Sequence, residues 1–418
     1  MKDVQSLNNG PEWGWMTQIL DYSNPENTTT WRMRYVKNEE FFTGDGPIFI
    51  LLGGEYAIHE SSVQSDTVYD LAREHNATMY YIEHRYYGQS YPTSDLTTDN
   101  LKYLKVEFAL EDFANFIRNI KQENVNLTNN KVVVFGASYS GNLAIWMRQK
   151  YPELVHAAVS SSAPVLAKYN FFEYNEVVKS SLGTECSGVI ERGIKKTQDL
   201  LQTRKGRKKL SKDFSFAVHF GVTVQYGNPL SIHNECAKLM SSADGDDYVK
   251  LAAYMKKQSY GCTRSYETFR QSLVNTENDI EYRRQWKYQK CTEFGYFKTS
   301  TKPYHLFSNT LPIKIYQRIC QDIFGSFLTS NVTEQGVVRI NEMYGGLQPN
   351  VTRVISLHGS LDPWHALGLA KDLNPAAPIR IIRGASHGAD MDDDSDSPAL
   401  RKVKTAVKTY LKQWLQED

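Results

Sequence analysis

The chain of 418 residues is 41% hydrophobic and 23% charged, with only 26 Gly and 14 Pro, a globular composition that excludes disordered, collagenous and coiled-coil classes. Its 48 Lys and Arg nearly cancel 47 Asp and Glu, so the formal charge of +1 provides no overall field for nucleic acid or an anionic membrane. The length allows anything from one large domain to about three ordinary ones.

Residues 1–10 contain no apolar stretch of signal-peptide type, and no later run is long and apolar enough to span a bilayer. No membrane insertion is therefore expected, and a signal peptide, if made, is expected to be absent from this chain. Sequons at Asn27, Asn76, Asn126, Asn331 and Asn350 lean toward secretion and are the expected glycosylation positions.

Short apolar, β-branched runs at 47–52, 78–82, 131–135 and 155–159 are bounded by turn residues and read as buried strands. Segments 61–75, 107–122 and 141–151 have helical spacing, giving the alternation of a parallel sheet with crossover helices. From 166 to 299 the pattern becomes charged, aromatic and helical. Strand signals return at 353–357 and 378–382, and Ser397-Pro398 opens an amphipathic helix reaching about 416. The expected fold class is α/β, a catalytic core from 1–165 and 300–418 interrupted by an inserted, mostly helical cap over 166–299.

Cys186, Cys236, Cys262, Cys291 and Cys320 form no C-x-x-C pair and have no His at metal-ligand spacing, so no metal site is expected. Their odd number fits either reduced thiols or two disulfides with one cysteine left over. The basic run 204–209 lacks interleaved aromatics and reads as a solvated loop or helix end, with no nucleic-acid partner. The acidic run 392–396 lacks EF-hand spacing and reads as an exposed turn.

A literal G-x-S-x-G occurs at Gly384-Ala-Ser-His-Gly388, but an acidic loop follows Ser386, whereas a nucleophile elbow needs a strand before the Ser and a helix after it. Gly136-Ala-Ser-Tyr-Ser-Gly141 misses the pattern at Ser140 yet lies between a strand and a helix, which makes Ser138 the candidate nucleophile. An ordinary Gly/Ser turn is the plainer alternative. In an α/β-hydrolase the acid and then the His follow the Ser. Asp362, just past a late strand, and His387, after the next one, satisfy that order; His365, three residues from Asp362, is expected on the same local turn, which makes His387 the better base. Oxyanion donors are expected from the Tyr139 backbone N–H and from the loop Gly53-Gly54-Glu55 after the first parallel strand.

These segments together resemble peptidase family S28, which includes lysosomal Pro-X carboxypeptidases, dipeptidyl peptidase II and thymus-specific serine protease. The resemblance runs through Gln18-Ile-Leu-Asp-Tyr22, Trp31-Arg-Met-Arg-Tyr35, Gly53-Gly-Glu55, Glu83-His-Arg-Tyr-Tyr-Gly-Gln-Ser90, the Ser138 elbow, Tyr288-Gln-Lys-Cys-Thr-Glu-Phe-Gly295, Gly359-Ser-Leu-Asp-Pro-Trp364 and Ser386-His-Gly-Ala-Asp-Met391. It implies an α/β-hydrolase core with a helical cap and carries the triad onto Ser138, Asp362 and His387. It also implies cleavage after proline at acidic pH, in a secreted or lysosomal protein, without a cofactor. The implied oxyanion set is Tyr139, Gly54 and Glu55, and the implied substrate-contact set is Glu55, Tyr56, Trp364 and Met391. Glu83 and Arg85 are expected in a buried polar network, and Cys291 in a disulfide with Cys320, while the pairing of Cys186, Cys236 and Cys262 stays open. Gly388 and Tyr56 depart from residues frequent in the family.

The expected function is hydrolysis of proline-containing peptides through an acyl-enzyme, with exopeptidase action, by carboxypeptidase or dipeptidyl peptidase, favoured over prolyl endopeptidase action. An esterase or lipase using the same triad and a catalytically silent binding protein are the alternatives, and a homodimer is compatible with the sequence.

Overall fold

The computed structural model describes residues 10–203, 216–258, 266–277, 281–301, 306–391 and 397–417. Cys262 and the runs 204–209 and 392–396 lie outside the described residues. The strands are β1 (Glu12–Ile19), β2 (Thr30–Asn38), β3 (Ile48–Leu52), β4 (Thr78–Ile82), β5 (Val132–Ala137), β6 (Ala157–Ser161), β7 (Lys168–Asn170), β8 (Gly295–Phe297), β9 (Val354–Gly359) and β10 (Ile379–Ile382).

Eight of them form one sheet in the order β1-β2-β4-β3-β5-β6-β9-β10, with β1 and β2 antiparallel to their neighbours and the rest parallel. This is an α/β-hydrolase core. The central strands are apolar throughout because helices cover both faces. On one face Ile48, Ile50, Val132 and Val134 pack with the helices Val106–Glu123 and Tyr139–Lys150. On the other, Phe49, Leu51, Val133 and Phe135 pack with Asp66–His75 and Pro398–Gln416. The alternation follows from successive side chains pointing to opposite faces of a strand.

Chain order reverses around β3, which lies between β4 and β5. The carboxyl ends of β3 and β5 are therefore neighbours at a switch point, where open α/β sheets hold their ligands.

Between β6 and β9 the chain leaves the sheet for a helical region containing the short parallel pair β7 and β8. Glu173–Leu201 bends at Gly183, which has a positive φ of 76°. The disulfide Cys186–Cys236 ties this element to Pro229–Met240, and Cys291–Cys320 ties the end of β8's preceding segment to Ile313–Phe324. Ile313–Phe324 and Ser330–Tyr344 precede β9, and the sheet resumes at Val354, where the strand signals return in the sequence. The first packs its apolar face on the inserted region, where Ile319, Cys320 and Phe324 share a cluster with Leu273, Tyr288 and Cys291, while Val337, Ile340 and Tyr344 of the second lie with Trp146 in the core cluster. No described helix is long and apolar enough to cross a membrane. Of the sequon asparagines, Asn76, Asn126, Asn331 and Asn350 are exposed and Asn27 is partly so.

One buried cluster at the core–insert junction makes stability pH-dependent. Glu293 accepts hydrogen bonds from Val106 N at 3.1 Å and Arg339 Nη2 at 3.0 Å, while Arg339 also pairs with Glu107. Burial, then the Glu107 carboxylate, pushes Glu293 up to about 7 against the pull of Arg339. The folded state thus holds a proton that the unfolded chain releases near 4.5, so this contribution to stability is full below that value and is lost as pH rises through about 7. Thermal unfolding is expected at a lower temperature in mildly alkaline than in mildly acidic buffer, and Glu293→Gln is expected to narrow that difference; an unchanged difference would remove Glu293 as its source.

Candidate active site

Ser138 joins β5 to the helix Tyr139–Lys150 with φ 60° and ψ −126°, a backbone region that L-residues rarely occupy. The strain is held by its surroundings. Ser138 N donates to Ser161 O on β6 at 2.9 Å, and Ser138 O accepts from Gly141 N at 3.0 Å. Gly136 is required by close approach, since a Cβ there would collide with the Ser140 carbonyl. Ser140, the residue that breaks the literal motif, accepts from Ala137 N and donates to Ala137 O, both at 2.9 Å, so its hydroxyl closes the turn. Ser386 has no such setting: residues 387–391 directly after it form turns rather than a helix.

The Tyr139 backbone N–H opens the helix, among the first-turn donors that have no intrahelical partner. Its phenol contacts His84 Nε2 at 3.0 Å and accepts from Gln289 Nε2 at 3.0 Å, fixing the helix start from both core and insert. Gly54 lies beside the turn, with room for a Cβ only 3.5 Å from Ser140 Cβ.

Asp362 caps the short helix Pro363–Leu367 and is fully buried. Its Oδ1 accepts from Trp364 N at 2.9 Å and its Oδ2 from His387 Nδ1 at 2.8 Å. With Nδ1–H committed to the carboxylate, His387 Nε2 carries the lone pair a general base needs. His365 instead directs Nδ1 to the Asp362 backbone carbonyl at 2.6 Å.

The His387 loop is held from two sides. Gly388 N donates to Ser162 Oγ at 2.9 Å, and Ser161 Oγ donates to the buried Asp390 at 2.6 Å. Because the Ser161 carbonyl also receives Ser138 N, the end of β6 links the Ser138 turn to the His387 loop. From the insert, Gln225 O accepts His387 N at 2.9 Å, and the Tyr226 ring centroid stands 6.0 Å from the imidazole.

A cavity of about 260 Å³ is lined by Ser138, Tyr139, Glu55, Tyr226, Lys298 and Trp364, among others. Trp364 packs against Phe171, Tyr174 and Tyr296, and its Nε1 donates to Gln225 Oε1 at 3.1 Å. Glu55 Oε2 is buried with no hydrogen-bond partner, and burial raises the carboxyl pKa against the pull of His387 and Lys290. Tyr56 and Met391 line a different cavity of about 200 Å³, across the elbow with Gly136, Ala137 and Ser140. A larger one, about 520 Å³, lies at the Gly183 bend beside Cys186–Cys236, away from Ser138.

Glu83 and Arg85 are both buried but belong to separate ion pairs. Glu83 bonds Arg34, Ser90 and the Gln89 N–H, whereas Arg85 forms a bidentate pair with Asp112. Gln225, Tyr226 and Lys298 carry no motif; what brings them to the site is the packing of the insert over the sheet edge.

A family model described as serine carboxypeptidase S28 matches residues 18–230 and 219–407. A thymus-specific serine protease of Mus musculus is 33% identical over 452 residues, spanning 97% of this chain and 88% of that protein. A lysosomal Pro-X carboxypeptidase of Bos taurus is 26% identical over 454 residues, spanning 96% and 88%. Among solved structures, a proline iminopeptidase of Mycobacterium smegmatis is 12% identical with a TM-score of 0.41, covering 96% of this chain and 99% of its own.

Proposed function

The chain belongs to the serine carboxypeptidase S28 family of serine-type peptidases, and from that premise we propose that it removes residues from the ends of peptides by cleaving after proline, through an acyl-enzyme on Ser138, in an acidic secreted or lysosomal setting. The observation that carries this reading is the 2.8 Å bond from His387 Nδ1 to the buried Asp362, at the same sheet edge as the strained Ser138 turn.

His387 Nε2 takes the Ser138 proton as Oγ attacks the peptide carbonyl, and Asp362 holds the imidazolium that forms. The oxyanion is received by the Tyr139 N–H and by the backbone of Gly54 and Glu55. His387 then protonates the departing amine, and water repeats the sequence on the acyl-enzyme. The wall of Trp364 and Tyr296 offers flat aromatic surface to a pyrrolidine ring. A cavity of about 260 Å³ is below the usual range for drug-sized ligands, which suits one or two residues of a peptide end rather than an extended segment. The name of the Bos taurus relative supports both proline specificity and a lysosomal location.

Incubation with a library of proline-containing peptides, read by mass spectrometry, tests the reading. The expected products arise from cuts on the carboxyl side of proline near a chain end, faster in mildly acidic buffer. Internal cuts would make it an endopeptidase, and hydrolysis of simple esters without peptide products would overturn the peptidase reading in favour of an esterase.

A further inference from the structure

Lys298 follows β8 and reaches into the Ser138 cavity with its charge unpaired. Its Nζ stands 3.7 Å from the Tyr174 ring centroid and 4.6 Å from that of Trp364. Its ammonium donates to Gln225 Oε1 at 3.5 Å, and that oxygen already accepts from Trp364 Nε1 at 3.1 Å and the Tyr174 hydroxyl at 2.7 Å. Among the described residues no carboxylate forms an ion pair with Lys298. Asp362 is committed to His387 and the Trp364 N–H, and the influence on Glu55 comes from His387 and Lys290.

An ammonium has three donors, and aromatic faces satisfy its charge without accepting those hydrogen bonds in the ordinary way. Burial draws the Lys298 pKa down to about 7, with Asp362 attracting and Lys287 repelling the charge. A side chain needed only to fill the space between Tyr174 and Trp364 does not require an ammonium; a methionine would pack there without the cost of burying a charge.

We propose that Lys298 recognises a carboxylate of the bound peptide, either the α-carboxylate of a C-terminal residue or an acidic side chain next to the scissile bond. The assignment rests on the peptidase reading above and adds to it the charge of the group that the cavity takes. The aromatic cage holds the ammonium in place before substrate arrives, so an entering carboxylate meets a fixed, partly desolvated cation and forms charge-assisted hydrogen bonds with it.

The test compares kcat/KM for two proline-containing peptide pairs, one differing only in a free C-terminal carboxylate against its carboxamide, the other in Glu against Gln at the residue after the scissile bond. The wild type, Lys298→Met and Lys298→Arg are measured, with active-site concentration set by fluorophosphonate titration so that misfolded protein is not counted. The wild type is expected to prefer the carboxylate member of at least one pair by about 10- to 100-fold, mainly through KM. Lys298→Met is expected to lose that preference and Lys298→Arg to keep most of it. Loss confined to the first pair identifies the α-carboxylate, and loss confined to the second identifies the side chain. Preferences equal in wild type and Lys298→Met for both pairs overturn the assignment while leaving the peptidase reading intact. If the wild type cleaves no peptide at all, the peptidase reading fails and this assignment with it.

Discussion

Replacing Asp362 by asparagine is expected to lower peptide hydrolysis by about 10⁴-fold in kcat. The expectation comes from which proton sits where. Asp362 Oδ2 accepts from His387 Nδ1 at 2.8 Å, which leaves Nε2 free to accept from a serine. An asparagine can still offer its Oδ1 to the Trp364 N–H, preserving the cap of Pro363–Leu367, but its Nδ2 is a donor facing Nδ1. The imidazole then favours the other tautomer, with its proton on Nε2, where it cannot act as the base. Circular dichroism close to wild type together with the fall in kcat would separate this effect from unfolding. A loss of less than about tenfold would mean that Asp362 does not set the tautomer of the working base.

Ser138→Ala is expected to be more severe, removing about 10⁴- to 10⁶-fold of kcat, because without Oγ no acyl-enzyme forms and His387 and Asp362 have no nucleophile to activate. The same position stores strain. At φ 60° and ψ −126° any side chain with a Cβ costs on the order of 1–3 kcal/mol, whereas glycine occupies the region freely. Ser138→Gly is therefore expected to be equally inactive and more resistant to thermal unfolding than Ser138→Ala, by about 1 kcal/mol after the backbone entropy of glycine is counted. The pair of variants tests the elbow itself. If alanine proved the more stable of the two, the turn would not be strained as its dihedrals indicate.

The parts of the fold that were legible in the sequence are those whose burial is uniform. β3 and β4 are buried along their whole length, so an unbroken apolar run betrays them. β1 and β2 were not anticipated, because they sit at the sheet edge with one face in solvent. There Trp13 and Trp15 stay more than 40% exposed, and Arg34 and Arg32 cover their rings, so the apolar alternation is blurred by indoles outside and arginines beside them. The helices Ile313–Phe324 and Ser330–Tyr344 look in sequence like any amphipathic helix; only the disulfide Cys291–Cys320 and the cluster around Tyr288 tie the first to the inserted region, and only packing places Val337, Ile340 and Tyr344 of the second in the core cluster.

At the site, chain order and strand-turn-helix context point to Ser138, Asp362 and His387 as the proposed triad, because backbone requirements leave a signature in nearby residues. The glycine at 136 and the small residues around the elbow are such a signature. Gln225, Tyr226 and Lys298 leave none, since their presence depends on how a helix and a short strand of the insert dock on the sheet edge. Pairing of Cys186 with Cys236 was equally out of reach, as connectivity among several cysteines does not follow from their spacing.

The central claim is that Ser138 is the nucleophile. It is tested most directly by treating the intact protein with a fluorophosphonate and locating the adduct by peptide mapping. The account predicts one adduct per chain, on the peptide that contains Ser138, and none in Ser138→Ala. An adduct on Ser386, or a folded protein that takes up no label, would contradict it.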